Sequence, residues 1–279
     1  MSKWNLIVDV ARCENCHNCT LALKDEFESN EFPGYSKPQP RHGHEWIRIE
    51  RKVRGEGTMV DAAYLPSMCN HCDNAPCVAK SAGAIKQRDD GIVIIDPVKA
   101  KGRKDLVDTC PYGNIWWNEE HQVPQSWFFD AHLLDQGWNE PRCSQSCPTG
   151  ALKALKVSDA EMRVMAEREG LEVLKPDLGT KPRVYYKNLH RFSKCFIGGS
   201  VVAELVGVDE CIAGATAILS QGGKEIGRQV TDVFGDFKFD DLEPGSGIYS
   251  VQIQHPDLGL ANVTGLVDDS CYLGEVRLS

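Results

Sequence analysis

Short runs of alternating apolar and polar residues dominate the chain, in two styles that change near residue 197. Before that point the runs are brief and scattered among loops. Residues 4–10 (Trp-Asn-Leu-Ile-Val-Asp-Val) predict a strand, and 45–51 (Glu-Trp-Ile-Arg-Ile-Glu-Arg) alternate as a second one. Residues 20–28 predict a helix, and 29–45 a loop rich in Pro, Gly and His. Residues 84–87 and 92–96 predict a hairpin turning at Asp90-Gly91. Short strands are expected at 115–117 and 150–155, flanking an aromatic-rich insertion at 118–142. Ser158 and Glu161 stand at capping-box spacing, and Gly170 closes the helix that they open. Residues 176–186 predict an extended strap. After 197 the strand candidates are 200–205, 215–219, 225–230, 237–239, 249–253 and 274–278. Gly222-Gly223, Gly235-Asp236 and Pro244-Gly245 supply turns between them. That spacing predicts a small all-β sandwich. The fold class is therefore α+β: residues 1–157, a helix and extended connector at 158–196, and the β-sandwich at 197–279.

The cysteines change the picture of the first segment. Cys13, Cys16 and Cys19 form a C-x2-C-x2-C triad, and Cys69, Cys72 and Cys77 form a second one. A triad cannot complete a four-thiolate cage alone. In bacterial-type ferredoxins the fourth ligand is a remote Cys followed by Pro. Two such sites exist, Cys110-Pro111 and Cys147-Pro148. Two triads and two Cys-Pro sites make two [4Fe-4S] cages, which are the cofactors expected in this chain. The motif Cys-Pro-x-Gly recurs at 110–113 and 147–150, the mark of a doubled ferredoxin-like unit. Structural zinc is the alternative, but it favours paired two-Cys knuckles, which this pattern lacks.

Composition narrows the partners. The net charge of −9 argues against nucleic acid, which selects a basic face. Twelve cysteines in 279 residues are too sparse and too clustered for a secreted disulfide scaffold. No apolar run reaches the roughly 18 residues of a membrane helix, and no signal segment precedes the first strand. The expectation is a cytoplasmic protein without direct membrane insertion; export alongside a signal-bearing partner stays open.

Residues 1–195 resemble the double-ferredoxin iron–sulfur subunits of the dimethyl sulfoxide reductase-type molybdoenzyme family. Residues 30–35 (Asn-Glu-Phe-Pro-Gly-Tyr), 72–80 (Cys-Asp-Asn-Ala-Pro-Cys-Val-Ala-Lys), 108–113 (Asp-Thr-Cys-Pro-Tyr-Gly) and 178–189 (Leu-Gly-Thr-Lys-Pro-Arg-Val-Tyr-Tyr-Lys-Asn-Leu) resemble its pyrogallol–phloroglucinol transhydroxylase branch. So does the β-sandwich. Gly214–Ala217 and the Thr231-Asp232-x-x-Gly235-x-Phe237-x-Phe239 stretch resemble collagen-adhesin B-type or transthyretin-like β-folds, which implies a docking or stabilising module.

The resemblance implies ligands assigned crosswise: Cys13, Cys16, Cys19 with Cys147, and Cys69, Cys72, Cys77 with Cys110. Four-cluster members have two further cages. One maps here onto Leu23, Trp127, Asp130 and Cys143, and the other onto Ser81, Ala100, Arg103 and Leu106. A single Cys survives in the first set and none in the second, so the resemblance implies two clusters, unless a third persists on non-Cys ligands. This departs from the transhydroxylase small subunit, which keeps the first of these cages. The implied function is an electron-transfer subunit with no catalytic residues of its own. Its large partner would hold bis-molybdopterin guanine dinucleotide with Mo or W and act on polyphenols. The strap would lie along the contact with that partner. An iron–sulfur subunit of a respiratory enzyme of the dimethyl sulfoxide or polysulfide reductase type is the alternative. Cys143, Cys195, Cys211 and Cys271 are expected as small buried hydrophobes. His17, His42, His44 and His71 are expected in hydrogen-bonding or surface roles. Trp116, Trp117, Trp127, Phe128 and Phe129 could shield a cluster, form an interface or pack a core.

Overall fold

In the computed structural model, which describes residues 1–278, contacts divide the chain into two compact units. The first comprises Met1–Glu50 and Tyr64–Leu189. The second comprises Arg51–Ala63 and the chain from His190 on.

The chain opens with β1 (Ser2–Asp9) and α1 (Asn18–Phe27), then a two-stranded ribbon of β2 (Ile47–Glu56) and β3 (Met59–Met68). Next come α2 (Pro76–Lys80) and the hairpin β4 (Ile85–Gln87) and β5 (Val93–Ile95). A second hairpin, β6 (Trp116–Asn118) and β7 (Val123–Gln125), is followed by two single-turn helices, α3 (Ala131–Leu134) and α4 (Arg142–Gln145). β8 (Leu152–Ser158), α5 (Asp159–Glu169) and β9 (Val184–Lys187) complete the first unit.

β1 is the centre of a three-stranded sheet, with β8 antiparallel on one side and β9 parallel on the other. Residues 4–8 are buried without alternation, because both faces of this strand are covered. The strap predicted at 176–186 thus ends in a true strand. α1 buries Cys19, Leu23 and Phe27, four residues apart on one face. α5 has the expected cap: Ser158 Oγ accepts from the Glu161 N–H, and the Glu161 carboxylate accepts from the Ser158 N–H. Gly170 takes the left-handed conformation that ends the helix. The centre of the aromatic-rich insertion is core, while Trp138 is exposed: Trp127, Phe128 and Phe129 are buried, and Trp127 stacks on Phe129 at 4.8 Å between centroids.

In the second unit α6 (His190–Ser193) leads into β10 (Cys195–Leu205), β11 (Val208–Cys211), β12 (Thr216–Gln221), β13 (Lys224–Val230), β14 (Asp236–Leu242), β15 (Gly247–His255), β16 (Gly259–Val267) and β17 (Cys271–Arg277). One sheet gathers β11, β14 and β17 around β10, and the other runs β13-β12-β15-β16. Alternate residues of both sheets, among them Val201, Ala217, Leu219, Phe237, Phe239, Val251 and Ile253, form one core. The tip of the β2–β3 ribbon belongs to this unit. There the buried Arg54 guanidinium pairs with Asp61 at 2.5 Å and Asp240 at 2.9 Å, beside the Phe196 ring. Among the described residues no helix is long and apolar enough to cross a membrane.

Candidate metal centres

Two cysteine loops of matching design leave strands and enter helices. The first runs from β1 to α1, and the second from β3 to α2. Asn15 stands two residues after Cys13, and His71 stands two residues after Cys69. Both are left-handed, at φ 55° and 46°, a conformation that Asn and His tolerate better than most residues. In each loop that residue's N–H donates to the sulfur of the leading cysteine.

The two Cys-Pro sites fold as the same turn. The Gly113 N–H donates to the Cys110 carbonyl at 3.0 Å, and the Gly150 N–H to the Cys147 carbonyl at 3.2 Å. Both glycines have positive φ, 65° and 63°, where a side chain would be strained. The next N–H then turns back to the cysteine sulfur: Asn114 to Cys110 and Ala151 to Cys147.

Cys13, Cys16, Cys19 and Cys147 line one cavity, together with Ile49, Pro66 and Thr149. Cys69, Cys72, Cys77 and Cys110 form a second group close enough for their charges to oppose one another. All twelve cysteines are free thiols. Burial pushes Cys19 and Cys77 up to about 11, Cys72 to about 12 and Cys69 well above the ordinary value, and neighbouring cysteines add to the rise. Burial also acts to raise Cys147, but the N–H groups of Leu152, Ala151 and Thr149 and the Thr149 hydroxyl outweigh it and lower the thiol. Cys16 is exposed, Cys19 and Cys72 are buried and the other five are half-buried; converging thiols whose ionisation burial opposes are costly as bare thiolates. They suit a cationic metal core, which deprotonates its ligands outright. The donor chemistry therefore fits iron–sulfur clusters.

The second loop is clamped by the strap. The Asp73 and Asn74 N–H groups donate to the Lys181 and Thr180 carbonyls, and the Arg183 N–H donates to the Asn70 carbonyl. The buried Arg183 side chain bonds Asp73 at 2.5 Å and Asp159 at 2.8 Å. The sequence predicts the extended strap, but nothing local in it marks the contact with the cysteine loop. His71 is neutral, pushed down to about 3 by burial, and its Nδ1 accepts from the Val93 N–H at 3.0 Å.

The residues that the resemblance maps onto two further cages are packed inside the first unit, except Arg103, which is half-exposed and pairs with Asp105 at 2.7 Å. Leu23, Trp127, Asp130 and Cys143 are all buried. Trp127 Nε1 donates to Asp130 Oδ1 at 3.0 Å, and the Arg142 N–H donates to Asp130 Oδ2 at 2.8 Å. Burial raises the Asp130 carboxyl to about 6 despite those donors. At the other position Ala100 and Leu106 belong to an apolar cluster, and Ser81 Oγ accepts from the Ile85 N–H at 3.0 Å.

Residues 60–157 match the family model described as a 4Fe-4S dicluster domain. The chain is 46% identical to the pyrogallol hydroxytransferase small subunit of Pelobacter acidigallici over the full length of both. It is 32% identical to a tetrathionate reductase subunit of Salmonella typhimurium, over 67% of this chain and 73% of that one. It is 29% identical to the putative dimethyl sulfoxide reductase iron–sulfur subunit of Halobacterium salinarum, over 67% of this chain and 80% of that one.

Proposed function

The chain belongs to the iron–sulfur subunits of the dimethyl sulfoxide reductase-type molybdoenzymes, and on that footing we propose that it serves a hydroxyl transferase acting on polyphenols. Cys13, Cys16, Cys19 and Cys147 hold one [4Fe-4S] cluster, and Cys69, Cys72, Cys77 and Cys110 hold the other. When bound, such clusters store and pass single electrons. The chain supplies the thiolates, the N–H groups around them and the strap that fixes the second loop. Residues 1–157 form a doubled ferredoxin-like unit, and the β-sandwich is a collagen-adhesin B or transthyretin-like docking module. Catalysis lies on a large partner subunit that carries bis-molybdopterin guanine dinucleotide, in the cytoplasm.

One observation carries this choice over a respiratory relay. The similarity to the pyrogallol hydroxytransferase small subunit runs the whole chain, whereas the tetrathionate and dimethyl sulfoxide reductase relatives match 67% of it. Filled cage positions are consistent with it, since a row of clusters with a gap is a poor conduit for sustained electron flow. Hydroxyl transfer between polyphenols is redox-neutral overall and needs few external electrons. The test is turnover of pyrogallol with a hydroxylated co-substrate by the anaerobically purified complex, with and without a redox dye. Turnover without stoichiometric dye consumption is expected. Dye consumed in every turnover would favour the respiratory alternative.

A further inference from the structure

Backbone N–H groups reach sulfurs in both cysteine groups, but hydroxyls reach only some of them. Thr149 Oγ1 lies 3.7 Å from Cys147 Sγ. The Thr180 hydroxyl faces the Cys72 sulfur and acts to lower that thiol against its burial, and Tyr112 Oη sits 2.6 Å from Thr180 Oγ1. Thr20 also faces Cys19, but its proton goes to the Ile47 carbonyl at 2.8 Å. Thr149 and Tyr112 hold the same place, the third residue of Cys-Pro-x-Gly. That turn position delivers a hydroxyl directly in one half and through Thr180 in the other.

The proton inventory sets the direction of the relay. Tyr112 has one proton and two acceptors, Thr180 Oγ1 at 2.6 Å and the Leu174 carbonyl at 3.3 Å. The shorter bond takes it, which leaves the Thr180 proton for Cys72. Thr180 and Tyr112 are almost fully buried, at 2% and 6% exposure, so water does not compete. A hydroxyl already donating to sulfur stabilises the more negative, reduced cluster more than the oxidised one.

Resting on the cage assignment above, we propose that Tyr112 and Thr180 form a hydroxyl relay to the Cys72 sulfur. The relay raises the reduction potential of the cluster held by Cys69, Cys72, Cys77 and Cys110. The step is a one-electron reduction; both hydroxyls keep their protons, and no bond is made or broken in the chain. Tyr112 and Thr180 are positioning residues.

The test is an EPR-monitored redox titration of the purified complex, with iron content measured on each sample. Thr180→Val should lower one of the two midpoint potentials by about a tenfold change in the reduction equilibrium, 59 mV for one electron. Tyr112→Phe should move the same potential in the same direction by less, and Thr180→Ser should keep the wild-type value. Unchanged potentials in Thr180→Val with iron retained would overturn the relay. If Thr180→Val sheds its cluster, Tyr112→Phe decides: a lowered potential supports the relay, and an unchanged one overturns it. Wild-type complex without [4Fe-4S] signals would instead overturn the cage assignment, and the relay with it.

Discussion

Replacing Trp127 tests whether the filled cage position holds the first unit together. The indole is fully buried, and its N–H is one of two donors to the buried Asp130 carboxylate. Trp127→Phe keeps most of the ring and removes the donor. A hydrogen bond to a charged group is worth about 1.5–3 kcal/mol. Trp127→Ala adds a cavity and lost packing, about 3–5 kcal/mol more. The assay is the rate of cluster bleaching in guanidinium, followed by absorbance under anaerobic conditions. Because tenfold in rate corresponds to about 1.4 kcal/mol, Trp127→Phe should bleach roughly tenfold to hundredfold faster if the loss falls on unfolding. Trp127→Ala should be faster by roughly another hundredfold or more. pH supplies an internal check. Asp130 is held at about 6 rather than 3.8 by burial, so its ionised form is disfavoured in the fold. Stability therefore falls as pH rises from about 4 to 6, by about 3 kcal/mol in total, and stays lower above that. Losing the Trp127 donor raises the carboxyl further, so the fall should continue to higher pH. Wild-type bleaching by Trp127→Ala, or a gain of iron in that variant, would refute the reasoning.

Further outcomes follow from the same geometry. Cys110→Ser and Cys147→Ser should each lose one cluster and keep the other, as four irons remaining by analysis. Cys143→Ala should keep both clusters and cost about 1 kcal/mol, because its buried thiol packs without ligating. Arg54→Ala should remove the buried guanidinium from between Asp61 and Asp240, leaving them to Arg191 and Lys238, and cost about 3 kcal/mol, read as faster hydrogen exchange across β10–β17. Asp61 is held down to about 2, burial opposing and Arg54 and Arg191 prevailing. It contributes about 2 kcal/mol above pH 3.8, lost as pH falls through 2. Arg54→Ala should flatten that acid limb.

What was legible in the sequence was local chemistry. Cysteine spacing marks both loops, because the ligand gaps sit within a few residues. The α5 cap was legible for the same reason, as Ser158 and Glu161 are three residues apart. Long-range contacts were not. Asp73 meets Arg183 across 110 residues, and no spacing rule connects Thr180 to Cys72. Arg54 sits in a charged run that looks solvated, yet it is buried beside Phe196. β11 is exposed along its whole length, so burial imposes no pattern on it; β16 does alternate, with Ala261, Val263, Gly265 and Val267 turned inward, but its small inward residues weaken the apolar signal. Asp130 carries the reverse lesson. An acidic residue in an aromatic stretch suggests surface, but Trp127 and the Arg142 N–H satisfy it inside.

Two clusters are proposed for this chain, with Leu23, Trp127, Asp130 and Cys143 packed where a third would sit. Iron and acid-labile sulfide per small subunit, on complex purified without oxygen, test that count most directly. The account predicts about eight irons and eight sulfides, two cubanes' worth, after subtraction of any metal on the separated large subunit. About twelve would contradict it, placing a cluster where Leu23, Trp127, Asp130 and Cys143 now pack.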